Sequence, residues 1–291
     1  MANTRLIKRR INAAANISKI TKAMEMVAAS KMKRAQEQAT QSRPFSRSLE
    51  ESLHKLSAKQ TVDIHPLLSR HEEGEDVLIM VGTDKGLCGN LNGLLFKQAL
   101  EWRKQHPHGK MIAIGRKSVQ FAKFTGFELY AQFIDLPEKL SILDIAPLHE
   151  LTIQGFLDHT FRSVTLLYTD FINTLSHHPR MIQMLPIMSY DVNSDENDPN
   201  IEVVGKSEYV FEPSAASILA ELLPYYIENT LYQAFLEARA SEHSARMVTM
   251  KNASENAHDL VAELKLEFNK TRQAGITAEL LDMISATMSL S

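Results

Sequence analysis

The chain has 291 residues, 44% hydrophobic and 23% charged, which is enough for one large or two ordinary globular domains and excludes wholesale disorder. Its formal net charge is -3, yet residues 1–35 hold nine Lys or Arg against Glu25 alone, so a basic arm precedes a clearly acidic remainder. A single cysteine, Cys88, excludes an internal disulfide and a multi-thiolate zinc site, and no apolar run approaches the roughly 18 residues that span a bilayer.

From Thr4 to about Leu56, the residues Ile7, Ile11, Ala14, Ile17, Ile20, Met24 and Val27 recur at steps of three and four, which predicts one apolar face of a helix. Pro44 is the breaker in this stretch and is expected to kink or end a helix that would otherwise run about 80 Å at 1.5 Å per residue. Short apolar runs follow at 77–83, 111–115, 128–134 and 163–169 and predict buried strands. Stretches such as 90–105 and 117–124 between them predict crossover helices over a mainly parallel sheet. Further strands are expected at 182–187 and 209–211, separated by an exposed acidic loop, DVNSDENDPN, at 191–200.

A second long helical pattern starts near Ala215, is punctuated by Pro224, and continues through Leu231, Phe235, Ala245, Leu264, Phe268, Leu280 and Ile284, interrupted only by Gly275. Helices this long draw their stability from burying the apolar face, so the two are expected to pair. Small residues at Ala13, Ala14, Ala15, Ala28, Ala29 and Ser30, and at Ala238, Ala240, Ser241, Ser244 and Ala245, allow close approach of the backbones. The expected fold class is therefore α/β: a long antiparallel coiled coil of N-terminal (1–58) and C-terminal (213–291) helices around a central Rossmann-like domain (75–212). The apolar pattern is less regular than a leucine zipper, which predicts an irregular coiled coil.

The sequence VGTDKGLCGNLN sets glycines between a strand and a helix, a place where phosphate loops occur. It has neither the GxGxxG nor the GxxxxGK[ST] order, and a tight structural turn is the better reading. Cys88 has no histidine nearby in sequence to activate it, and the pairs His106 with His108 and His177 with His178 read as solvated side chains rather than metal ligands. No acid/base or nucleophile constellation stands out, and neither cofactor nor metal is expected. The basic N-terminal helix points to an acidic partner or a solvated face; residues 1–44 lack the aromatics that stack on bases, which argues against nucleic acid.

Four segments, KITKAMEMVAASKMK, GTDKGLCGNLN, SEHSARMVTMKNAS and NKTRQAGITAELLDMISA, closely resemble the gamma subunit of F-type ATP synthases, the central rotor stalk, in its bacterial form. The match runs end to end and is loosest from about 120 to 205. The resemblance implies a non-catalytic subunit whose terminal helices turn inside a hexamer of alternating alpha and beta subunits. Its partners would be that hexamer, the epsilon subunit and the membrane c-ring. It would couple proton flow to ATP synthesis or hydrolysis and help regulate ATPase activity. It would lie on the cytoplasmic face of the bacterial cell membrane, attached only through the complex. Residue by residue, the resemblance implies rotor–stator contacts at Lys22, Met24, Glu25, Arg272, Gln273, Thr277 and Glu279. It implies contacts with ring and epsilon at Lys33, Arg34, Tyr209 and Glu212. Two readings from other classes stand beside it: a nucleotide-binding α/β enzyme whose helices serve oligomerisation, and a nucleic-acid-binding coiled coil.

Overall fold

The computed structural model describes residues 2–57, 65–187 and 215–289. The elements, in chain order, are α1 (Ala2–Ser57), a short 3-10 turn (Pro66–Leu68), β1 (Glu75–Val81), α2 (Leu91–Gln105), β2 (Lys110–Ile114), α3 (Arg116–Thr125), β3 (Leu129–Phe133), α4 (Ile142–Leu157), β4 (Phe161–Phe171), β5 (His177–Leu185) and α5 (Ala215–Ser289). Two compact units emerge: residues 1–30 with 244–291, and residues 31–243.

In the larger unit the strand order is β3-β2-β1-β4-β5. β1 pairs in parallel with β2 and β4, β2 in parallel with β3, and β5 closes the edge antiparallel to β4. β1 is buried along nearly its whole length, as a central strand covered on both faces must be. Its alternate residues serve opposite sides. Val77, Ile79 and Val81 join Phe156 of α4, Phe161 and Leu166 of β4, and Leu223, Ile227 and Leu231 of α5 in one core. Leu78 and Met80 are also fully buried, and on α2 the indole of Trp102 donates to Thr165 Oγ1 on β4 at 3.3 Å.

The four expected strands at 77–83, 111–115, 128–134 and 163–169 are present. The strand expected at 182–187 starts earlier, at His177, and carries Pro179, a residue that a sheet tolerates at its edge because no ladder hydrogen bond is needed there. The strand expected at 209–211 and the acidic loop at 191–200 lie outside the described residues.

Pro44 does not end α1, which continues to Ser57. A mid-helix proline forfeits one backbone hydrogen bond and crowds the preceding turn. Here contacts with α5 offset that cost: Ser42 Oγ meets Gln233 Oε1, Asn229 Nδ2 donates to Ser46 Oγ at 2.9 Å, and Phe45 and Tyr225 stack edge-on at 5.7 Å. Ala35 packs with Ala240 while Ser46 meets Asn229, so the helices run antiparallel in this unit.

Within each unit the helix seam is more regular than the residue types imply. Ile7, Ala14 and Ala28 are buried in the smaller unit, and Ala35 and Leu49 in the larger, all at multiples of seven. On α5 the buried residues Met250, Ala257 and Leu264 repeat the interval. Recurrence at seven residues is the signature of a coiled-coil seam; small residues fill many of its positions here, and Ala39 and Ala245 are buried off that interval. The expected irregularity shows both in side-chain size and in these departures from the seven-residue interval. By contrast Ile17, Ile20 and Val27, read from the sequence as seam residues, are 53%, 59% and 55% exposed. The apolar surface of α1 is wider than the seam consumes.

Candidate functional site

The loop after β1 closes on itself. Thr83 Oγ1 donates to the Lys85 carbonyl at 2.8 Å, and Asn92 Nδ2 donates to Thr83 Oγ1 at 2.8 Å and to Cys88 Sγ at 3.4 Å. Leu87 and Gly89 both take positive φ, 63° and 60°. Gly115 (φ +84) lies so near that an added Cβ would sit 2.6 Å from the Gly82 carbonyl oxygen. These are the features of a tightly packed turn, and the thiol of Cys88 is buried within it.

At the opposite, amino-terminal end of the strands a polar knot is centred on Asp76, 8% exposed. It accepts from Arg162 Nε at 3.1 Å and Nη2, from Ser163 Oγ at 2.6 Å, and pairs with His106 Nδ1 at 2.9 Å. Burial alone would raise this carboxyl, but the hydrogen bonds from Arg162, Ser163 and His106 outweigh it and bring it down to about 2. His106 also stacks on Trp102 at 4.6 Å. It was read from the sequence as a solvated histidine; instead it bonds to a carboxylate that lies thirty residues away in sequence. Among the described residues no three His, Cys, Asp or Glu side chains gather as a metal site.

The residues singled out by resemblance fall on helix surfaces. In the smaller unit Lys22 Nζ donates to both oxygens of Glu25 at 3.1 and 3.0 Å, so this cation and this anion are already joined. The adjoining Met24 is half-buried. Around them Lys8, Arg9, Arg10 and Lys19 are exposed, interleaved with the exposed apolar side chains Leu6, Ile17, Ile20, Met26 and Val27. Arg272, Gln273 and Glu279 are exposed on α5; Thr277 is exposed too, but its hydroxyl donates back to the Gln273 carbonyl at 2.9 Å. Beyond Thr271 the seam ends. Ile276, Leu280, Leu281, Met283, Ile284 and Met288 are each about half to three-quarters exposed.

In the larger unit Lys33 and Arg34 are exposed. Their neighbour Lys31, not singled out from the sequence, reaches Glu138 Oε2 at 2.7 Å and holds that carboxyl below its usual range, with Arg34 adding to the field. Tyr209 and Glu212 lie outside the described residues. Sequence reading also missed Glu237 and Arg239. The available signal was two charges embedded in EARAS, a run of small residues of the kind that lines close helix contacts.

Taken together, the described residues define a long-helix subunit: an α/β domain carried on antiparallel helices, with cationic and apolar side chains facing outward. The family model for ATP synthase matches residues 3–290. The ATP synthase gamma chain of Dehalococcoides mccartyi (strain CBDB1) is 38% identical over 294 residues, covering all of both chains, and that of Akkermansia muciniphila is 39% identical over 98% of each. The fold is shared with the rotor of Euglena gracilis mitochondrial ATP synthase in rotational state 1, at TM-score 0.65 and 17% identity, covering 94% of this chain and 99% of that one. The chain belongs to the ATP synthase gamma chain family. Among the described residues no helix is long and apolar enough to cross a membrane.

Proposed function

We propose that this chain is the central-stalk rotor of an F-type ATP synthase, a non-catalytic subunit that couples proton flow to ATP synthesis or hydrolysis at an alpha/beta hexamer. The observation that carries the reading, given the family, is the end of α5: a helix whose apolar side chains face outward after its seam has stopped. Exposed Leu, Ile and Met of this density call for a protein collar. The last sixteen residues carry only Glu279 and Asp282 as charges. A shaft turning in an apolar collar must avoid deep energy minima, and a buried ion pair broken at each step would cost several kcal/mol.

Arg272 and Gln273 lie just below this tip, fully presented, and act as the exchangeable grip on a beta subunit. Charge-assisted hydrogen bonds of roughly 1.5–3 kcal/mol are strong enough to push and weak enough to release. Met24 supplies a neutral contact beside the Lys22–Glu25 pair, and the cations along residues 5–22 meet carboxylates of the stator. Lys33 and Arg34, with Tyr209 and Glu212, serve the epsilon subunit and the c-ring. The chain attaches to the cytoplasmic face of a bacterial membrane through that ring. A single asymmetric shaft in a threefold collar presents different contacts to each catalytic subunit, which is the condition for shifting their conformations unequally.

The test is reconstitution of alpha, beta and the membrane sector with and without this chain in vesicles. ATP synthesis driven by a proton gradient should require it, and full synthesis in its absence would end the proposal. Saturable ATP binding by the isolated chain would instead favour the enzyme reading.

A further inference from the structure

In the larger unit α5 is closed in beyond what an amphipathic helix needs. Phe235, Leu236, Glu237, Ala240 and Ser241 are all buried, although they point around the whole helix. Two separate grips account for this.

The first lies on the loop that follows β3. Arg239 Nη1 donates to the Pro137 and Glu138 carbonyls, the latter at 2.6 Å, and Nη2 donates to the Leu136 carbonyl at 3.2 Å. Lys31 of α1 holds the same loop through Glu138. One cation from each long helix therefore fixes three consecutive residues. Burial lowers the pKa of the guanidinium, against the opposing negative field of Glu242, Asp84, Glu138 and Asp144.

The second grip lies at the end of β4. Ser241 Oγ donates to the Thr169 carbonyl at 3.3 Å, and Arg43 Nη2 of α1 donates to the Phe171 carbonyl at 3.1 Å. Ala35 and Ala240 pack against Phe171. Glu237, 6% exposed, ties the helices together beneath them, meeting Arg43 at 3.5 Å and Gln233 Nε2 at 2.8 Å. Again both helices contribute.

Both grips sit at the carboxyl ends of parallel strands, where open α/β sheets usually receive a ligand. In this chain the helices themselves take that place. β3 and β4 are separated by β2 and β1, so the strands that lead into the two grips stand three strand spacings, about 14 Å, apart. Added to the core that α5 shares with the sheet, two polar grips on different strands oppose twisting of the domain about the helices more than either one alone.

We infer that the Glu237–Ser241 turn, with Lys31 and Arg43, is a two-point clutch that fixes the angle of the α/β domain on the helices, and that Arg239 is its principal positioning residue. The inference rests on the rotor reading and adds to it the place where torque enters the helices. It predicts that loosening one grip softens the rotor without moving its stopping positions.

The experiment uses the reconstituted complex with a rod attached through Phe124→Cys, a position 91% exposed on the domain. Angular variance is recorded during the pauses of ATP-driven rotation, and proton pumping per ATP is measured in vesicles. Arg239→Ala weakens the first grip while the core shared by α5 and the sheet remains, so the variance should rise and pumping per ATP should fall, with Arg239→Lys intermediate and the pause angles unchanged. Variance and pumping equal to those of the parent would overturn the clutch while leaving the rotor reading intact. If Arg239→Ala does not assemble, Arg239→Lys decides, and parental variance in that variant overturns the inference. A parent complex that does not rotate would end both.

Discussion

Asp76→Asn tests how much the buried ionic knot contributes to the larger unit. The carboxyl stands at about 2 against an ordinary 3.8, a difference worth about 2 kcal/mol of stability at neutral pH. The folded-state value is the lower one. The contribution is therefore complete above the unfolded value near 4 and is lost as pH falls through the folded value near 2. At pH 3 about 1 kcal/mol should remain. Asparagine keeps the volume but has no charge to lose, so the stability gap between parent and variant should be about 2 kcal/mol at pH 7 and about half that at pH 3. The chain's only tryptophan, Trp102, stacks on His106 within this knot, so urea unfolding of the full chain followed by its fluorescence reads the right region. A gap that stays constant from pH 7 to pH 3 would refute the electrostatic reasoning, because ionisation of the knot is what makes the gap depend on pH.

Other substitutions separate backbone, core and contact roles. Gly115→Ala forces a Cβ to within 2.6 Å of the Gly82 carbonyl oxygen at a positive φ, and should cost about 1–3 kcal/mol or more in thermal unfolding; a neutral result would mean that the two turns move apart freely. Phe156→Ala empties a fully buried ring site that also stacks on His71 at 4.1 Å, and a urea midpoint shift equivalent to about 3–5 kcal/mol is expected. Arg272→Ala should leave unfolding within about 0.5 kcal/mol, since the side chain is exposed, yet reduce ATP synthesis in vesicles; synthesis at the parental rate would remove its gripping role. Met24→Lys places a cation beside the Lys22–Glu25 pair and should lower ATP made per proton passed, whereas unaltered coupling would make Met24 a packing residue only.

The strands of the parallel sheet were legible because strands covered on both faces read as unbroken apolar runs, as VLIMV does in β1. β5 was seen only in part, since HHPRMIQML is an edge segment with one face wet and a proline inside. α4 drew no helix reading at all; its Pro147 lies within the helix, held there by burial of Ile145, Leu148 and Phe156 on the sheet. The Ser141 amide donating to Asp144 Oδ2 at 2.7 Å marks its start, a local signal that was present in the sequence and went unused. At Pro44 local preference and tertiary packing disagreed, and the α5 contacts decided the outcome.

The contact surfaces were legible for a different reason, and less completely. Burial at every seventh residue on α1 uses Ala14, Ala28 and Ala35, and leaves Ile17, Ile20 and Val27 outside. A sequence read for apolar periodicity merges these two sets into one stripe, because both recur at helical spacing. Between Ala14 and Ala35 the large side chains Ile17, Ile20, Met26 and Val27 face outward while the buried positions are alanines, the reverse of what a helix selected only to pair with one neighbour would do. That reversal is the physical trace of a second partner: small side chains let the two helices approach closely, while the bulk is kept for a surface met elsewhere. Arg272 lies just past the last seam residue on α5, so its side chain owes nothing to folding. An exposed cation past the seam, with no packing role within the chain, is what a contact to another subunit leaves on the sequence.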